Sequence, residues 1–234
     1  MRSSKTQARL QARRRNRRIG LGVVAIVAFL GVVLTAHLTG GRESDDTRAA
    51  SAPFIRREQH DPMAIGDVDA PVVLAQWTDM RCPFCAVFSR EMLPVLRREY
   101  VDTGKVRLEV NDVSFFGEQS ADGAVAARAA AEQGRFFEYL SALYAKAPEK
   151  GHPDLPRATL VSFAREAGVP DIARFTADLD RPLLHSAAQA SNSEAAAIGV
   201  TTVPFFVAGD KSLSGAQSIP VFREFLDAAL AAAS

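Results

Sequence analysis

Cys82 and Cys85 are the two cysteines of a 234-residue chain, with only Pro83 and Phe84 between them. Such a pair can clip a metal, staple a loop or exchange electrons. A zinc site needs two more ligands, yet His37 lies inside an apolar run, and His60, His152 and His185 are far apart with no H-x3-5-H spacing. A staple across so short a loop adds little stability to a domain with an adequate core. A C-x-x-C that follows a strand and opens a helix has a redox logic instead. Cys82 then sits at the helix amino terminus, where free N–H groups and the positive end of the dipole favour a thiolate. Cys85, one turn in, is more buried and acts as the partner sulfur. Pro83 takes the first helical position, where its missing N–H costs nothing. Stabilising the thiolate stabilises the reduced form, which makes the disulfide a stronger oxidant.

The flanking sequence supplies that strand and helix. The apolar run Pro71 to Thr78 reads as a buried strand opened by proline. The helix beginning at Cys82 carries Phe88, Met92, Val95 and Leu96 at helical spacing, and Pro94 predicts a kink. Lys105 to Val110 alternates as the next strand. From about 118 to 198 the chain is Ala-rich and helical in period, with stops at Gly134, Gly168 and Gly199, caps at Asp171 and Asp180, and Pro182 following the latter. Val203 to Gly209 and Lys211 to Gly215 read as a hairpin turning at Gly209-Asp210. A closing helix, 218–233, puts Val221, Phe222, Phe225, Leu226 and Ala229 on one face. The order β, α, β, helical block, β, β, α predicts an α/β protein: a thioredoxin-like fold interrupted by an all-helical insert. The folded part is expected at 57–234, with no internal repeats.

The chain has the composition of a globular protein, 47% apolar and 24% charged. Its net charge of +1 is unevenly spread: residues 1–18 hold eight Lys or Arg and no acid, leaving 20 basic against 27 acidic residues in the rest. Residues 19–38 then run for 20 positions without a charged side chain, enough helix to cross a bilayer core. This reads as a transmembrane helix preceding the domain, with the basic tail cytoplasmic by the positive-inside rule and everything after Leu38 outside. A cleaved signal peptide is the competing reading. Against it, the run exceeds an h-region of roughly 7 to 15 residues, and Leu34 occupies the small-residue position before Ala36. The abutment of the basic tail to an apolar 20-mer favours orientation over nucleic-acid binding. Residues 39–56, small and polar, read as a linker. Both cysteines are thereby expected in a compartment that permits disulfides.

The segments DAPVVLAQWTDMRCPFCAVF, YVDTGKVRLEV, AARAAAEQGRFFEYLSALYA and GVTTVPFFVAGDKSLSGAQ, in this order, resemble the DsbA family of extracytoplasmic thiol-disulfide oxidoreductases in its membrane-anchored bacterial form. The resemblance spans roughly residues 61–230. It implies a cis peptide at Val203-Pro204 beside the sulfurs, with Thr202 in the same substrate-binding loop. Val203 is then the residue whose backbone pairs with a substrate chain, and valine there leans toward the oxidases of the family. It also implies no cofactor beyond the Cys82-Cys85 disulfide, exported cysteine-containing proteins as substrates, and regeneration by a membrane thiol oxidase of the DsbB-like or vitamin K epoxide reductase-like kind. A monomer is expected, since the segment before the domain is too short for the dimerisation element of the family's isomerases.

Two positions depart from the family pattern. Phe84 replaces the histidine that strongly oxidising members place between the cysteines. Gln76 falls where many relatives have a buried Glu that relays protons to the inner cysteine, and an amide cannot titrate. A tempered potential or another proton route follows, through water or through Asp79, whose commoner role at a strand end is surface or capping. Arg81 is a weak candidate for electrostatic help to Cys82. Trp77, Phe115 and Phe116 either line a substrate groove or pack in the core. The leading expectation is an oxidase. A reductase or isomerase using the same site, and a non-catalytic tethered peptide-binding or chaperone module, are the alternatives.

Overall fold

The structure, a computed structural model, describes residues 54–234. The basic tail, the apolar run 19–38 and most of the linker lie outside the described residues. Among the described residues no helix is long and apolar enough to cross a membrane.

Five strands form one sheet: β1 (Ala64–Ile65), β2 (Val72–Thr78), β3 (Val106–Asp112), β4 (Phe205–Ala208) and β5 (Lys211–Ser214), in the order β1-β3-β2-β4-β5. β2 and β3 are parallel, with Val72 opposite Val106 and Thr78 opposite Asp112; the other pairs are antiparallel. The two-residue β1 has no periodicity for the sequence to show. A parallel pair needs a crossover, and α1 provides it. This helix runs as an α-helical piece Pro83–Val87, a π-helical turn Phe88–Met92, a second α-helical piece Leu93–Leu96 and a second π-helical turn Arg97–Val101. Around Pro94 the helix widens: Pro94 has no N–H for the carbonyl four residues back, and the Leu93 N–H reaches the Phe88 carbonyl five back.

The helical insert stands between β3 and β4 as α2 (Glu118–Ala131), α3 (Phe136–Ala145), α4 (Arg157–Glu166), α5 (Ile172–Asp178) and α6 (Pro182–Ala197). The stops at Gly134, Gly168 and Gly199 are found, each at positive φ. Asp171 caps α5 through the Arg174 N–H at 2.8 Å. Asp180 caps nothing. Pro182 at the first helical position makes Arg181 the cap residue of α6, and Asp180 pairs with Arg157 at 2.7 Å. The closing helix α7 (Ile219–Ala233) buries Phe222, Phe225, Leu226 and Ala229, whereas Val221 lies at the edge of that stripe and is exposed.

The two faces of the sheet are covered differently. Leu74, Leu108, Val110 and Phe206 meet Phe88 of α1 and Phe222 of α7 in the main core. On the other face, Ala75 and Trp77 pack with Ala195 and Val200 from the end of α6 and with Phe54. The Trp77 ring lies 5.0 Å from Phe54 and 5.8 Å from Phe205. Next to them the buried Glu109 accepts the backbone N–H groups of Arg56 and Arg57, at 2.7 and 2.9 Å, and pairs with Arg107 at 2.8 Å. Phe54 and Arg56, assigned to the linker from sequence, are therefore part of the fold. The polar surroundings concealed it: Phe54 is a lone aromatic with no periodic neighbours, and the partner of Arg56 is a carboxylate inside the sheet layer rather than an apolar stripe.

α2 is buried on nearly every side, and its small residues let α3, α4, α5 and α6 approach it closely. The tightest approach is at Gly123, where an added Cβ would fall 2.8 Å from the Cβ of Met80, in the loop ahead of Cys82. The substitution Gly123→Val is expected to destabilise the protein by about 1–3 kcal/mol through overpacking. It should lower the denaturant midpoint at unchanged slope.

Candidate functional site

The turn from β2 into α1 is set by Asp79. Its Oδ1 accepts the Arg81 N–H and the Ser120 hydroxyl, both at 2.8 Å, and its Oδ2 accepts the Phe115 N–H at 2.7 Å. The side chain is fully buried and caps the turn; its oxygens are committed to the β2–α1 turn, the loop after β3 and α2. This is the capping role, and the proton route through Asp79 finds no support in these contacts. Burial raises the Asp79 pKa, against the lowering effect of its hydrogen-bond donors.

The turn delivers Cys82 as the cap residue of α1, with Pro83 in the first turn as expected. The two thiols are not bridged. The Cys85 N–H donates to the Cys82 Sγ at 3.4 Å, and the Cys82 thiol donates to the Val203 carbonyl at 3.4 Å. Val203-Pro204 is cis, as the family resemblance implied, and the Gly215 N–H holds the Pro204 carbonyl at 2.8 Å. Cys82, Cys85, Pro83, Val203 and Pro204 thus converge. Thr202 flanks this loop but bonds Ser214 at 2.9 Å rather than a sulfur.

The two sulfurs are electrostatically unlike. Donation from the Cys85 thiol, assisted by the Cys85 and Phe84 N–H groups, lowers the Cys82 pKa despite burial and the opposing charge of Asp79. The partner thiol thus outranks the helix terminus as the cause. Burial, then the neighbouring Cys82, pushes the Cys85 thiol well up; the Thr78 hydroxyl favours its thiolate but does not prevail. Cys82 is 2% exposed, so a substrate reaches it through a narrow opening. Phe84 is 64% exposed and leaves an uncovered apolar surface beside that opening.

Arg81 does not aid the thiolate. Its guanidinium donates to the carbonyls of Phe116 at 2.6 Å and Pro153 at 2.8 Å, while its own carbonyl meets His152 Nδ1 at 3.0 Å. Phe116 stacks on His152 at 3.9 Å. Trp77 is core, and Gln76 is buried on the edge of a cavity of about 200 Å³ between α1, β2 and α3. Sequence reasoning missed Thr78 and Tyr144, whose hydroxyls lie 2.7 Å apart behind Cys85. The period of two along β2 puts Thr78 on the Gln76 face and could have drawn notice to it. Among the described residues no cluster of His, Cys, Asp and Glu could hold a metal.

The fold and the cysteine pair define a thioredoxin-fold, DsbA-like protein thiol-disulfide oxidoreductase. The family model described as thioredoxin matches residues 58–228, and the chain belongs to that family. It is 27% identical over 168 residues to the probable disulfide bond formation protein D of Bacillus cereus, covering 70% of this chain and 75% of that one. Among solved structures, oxidised BdbD from Bacillus subtilis superposes with a TM-score of 0.68 at 21% identity, covering 74% of this chain and 94% of that one. Wolbachia pipientis alpha-DsbA1 gives 0.64 at 17% identity, covering 73% and 92%. These two likenesses are of fold.

Alkylation of the reduced protein is expected at Cys82 with a pH midpoint below that of an ordinary thiol, while Cys85 stays unmodified until the chain unfolds; mass spectrometry across pH checks both. For Asp79 the folded pKa is the higher one. Its contribution to stability is therefore full below the ordinary carboxylate range and falls as pH rises through the raised value. Urea titrations at successive acidic pH values should show this slope, and Asp79→Asn should flatten it.

Proposed function

We propose that the protein is a membrane-tethered, extracytoplasmic oxidase that introduces disulfides into exported proteins. The observation that carries the redox reading is the asymmetry of the pair: one sulfur at a helix cap with its pKa lowered, the other sealed with its pKa raised. In the oxidised protein a substrate thiolate attacks the Cys82 Sγ, the Cys82–Cys85 bond breaks, and Cys85 leaves with the electron pair. A second substrate thiolate then attacks the substrate sulfur of the mixed disulfide and releases Cys82, the better leaving group. The substrate departs oxidised and the enzyme dithiol is left for a membrane thiol oxidase to reoxidise. The Val203 carbonyl lies 3.4 Å from the Cys82 Sγ, which supports its pairing with substrate backbone in that mixed disulfide. The name of the Bacillus cereus relative is consistent with this direction. The tether rests on the charge-free run 19–38 behind eight basic residues.

The reverse flow, a reductase or isomerase, is favoured by one feature. Phe84 presents a phenyl ring where a polar side chain could have supported the thiolate. The redox potential separates the two. The oxidase reading expects a value well above the roughly −270 mV of thioredoxin, together with oxidation of a reduced model protein; a value at or below it sinks that reading. The full-length Cys85→Ala variant in its own membrane should accumulate mixed disulfides with exported proteins. Loss of oxidase activity in Cys82→Ala separates an enzyme from a tethered chaperone, which would keep its function.

A further inference from the structure

Cys85 has no exposed surface, yet it must take up a proton each time it is expelled from the disulfide and release one each time the disulfide reforms. Asp79 has its oxygens occupied by the turn. Gln76 lies nearby but has no titratable proton. Two hydroxyls remain. Thr78 follows Gln76 on the same face of β2, and its hydroxyl is near enough to the Cys85 sulfur to favour the thiolate. The Tyr144 hydroxyl, from α3, lies 2.7 Å from Thr78 Oγ1 and 3.1 Å from the Asp79 carbonyl. Tyr144 also lines the cavity that holds Gln76 and Ser89. At about 200 Å³ that cavity has room for several waters, since one takes up roughly 30 Å³ in the liquid. Arg97, Phe137 and Ser141 line both this cavity and a surface groove of about 550 Å³, so the two lie side by side.

Resting on the thiol-disulfide reading above, we infer that the Thr78 and Tyr144 hydroxyls relay protons between this rear cavity and Cys85. As the substrate thiolate bonds to Cys82 and the disulfide breaks, the Cys85 sulfur leaves with the electron pair and accepts the Thr78 proton. Thr78 is reprotonated by Tyr144, and Tyr144 by a cavity water that exchanges with solvent. The net step adds one solvent proton to Cys85 and leaves both hydroxyls neutral. Reoxidation runs the chain backward. In this relay Thr78 hands the proton to the leaving sulfur and is the catalytic residue; Tyr144 acts through it and is a positioning residue. A rear route of this kind lets the proton move while a substrate chain covers the Cys82 opening.

The test is single-turnover oxidation of a reduced cysteine peptide by the full-length protein, across pH and in deuterated water. Thr78→Val and Tyr144→Phe should each slow the step by on the order of a hundredfold, the lower end for a displaced acid catalyst. They should also alter its pH profile and reduce the solvent isotope effect. Thr78→Ser, which keeps the hydroxyl, should restore the rate. If Thr78→Val fails to fold, Tyr144→Phe decides alone, because it keeps the packed ring. Wild-type rate, pH profile and isotope effect in both hydroxyl-free variants would overturn the relay while leaving the oxidase reading intact. Failure of the wild-type protein to oxidise the peptide would instead overturn the reading on which the relay rests.

Discussion

The carboxylate of Asp79 is the point where three parts of the chain meet. It receives N–H groups from the β2–α1 turn and from the loop after β3, and a hydroxyl from α2. A buried acceptor with three donors is hard to replace, because every donor it abandons would be left unsatisfied away from water. The position of Cys82 follows from that geometry. Once the turn is fixed, residue 82 must be the cap of α1, and its sulfur must face the first free N–H groups and the Val203 carbonyl. A cysteine in the same helix one position later would meet neither.

The chemistry then arises from the contrast between two nearby environments. Cys82 has donors and a slim contact with solvent; Cys85 has apolar walls and a hydroxyl. Desolvation penalises the charged form wherever compensating donors are few, so negative charge in the pair settles on Cys82. No cation is needed for this. Arg81, the cation adjacent in sequence, turns its guanidinium to two carbonyls of the insert region.

The features carried by local sequence were legible. A buried strand ending in a C-P-x-C helix start, the Ala-rich period from about 118, and a hairpin centred on Gly209-Asp210 each announce themselves within a few residues, and the structure has them. The cis peptide became visible only through likeness to a family. What stayed hidden depends on contacts between distant residues. Thr78 and Tyr144 are 66 positions apart, and Arg56 and Asn111 are 55 apart. Periodicity reports which face an element turns inward, not what it will touch there. Val221 failed for a related reason: an apolar residue on the shoulder of a helical stripe is assigned to the core by pattern and to solvent by geometry.

Arg81 clasps Phe116 and the 152–154 loop, and the residue after Arg81 is the reacting cysteine. Cα to Cα, only one peptide bond separates the clasp from the nucleophile. Any shift of the 152–154 loop therefore has a single residue of backbone in which to be absorbed before it reaches the cap of α1, so the insert and the reacting turn must be built to one tolerance.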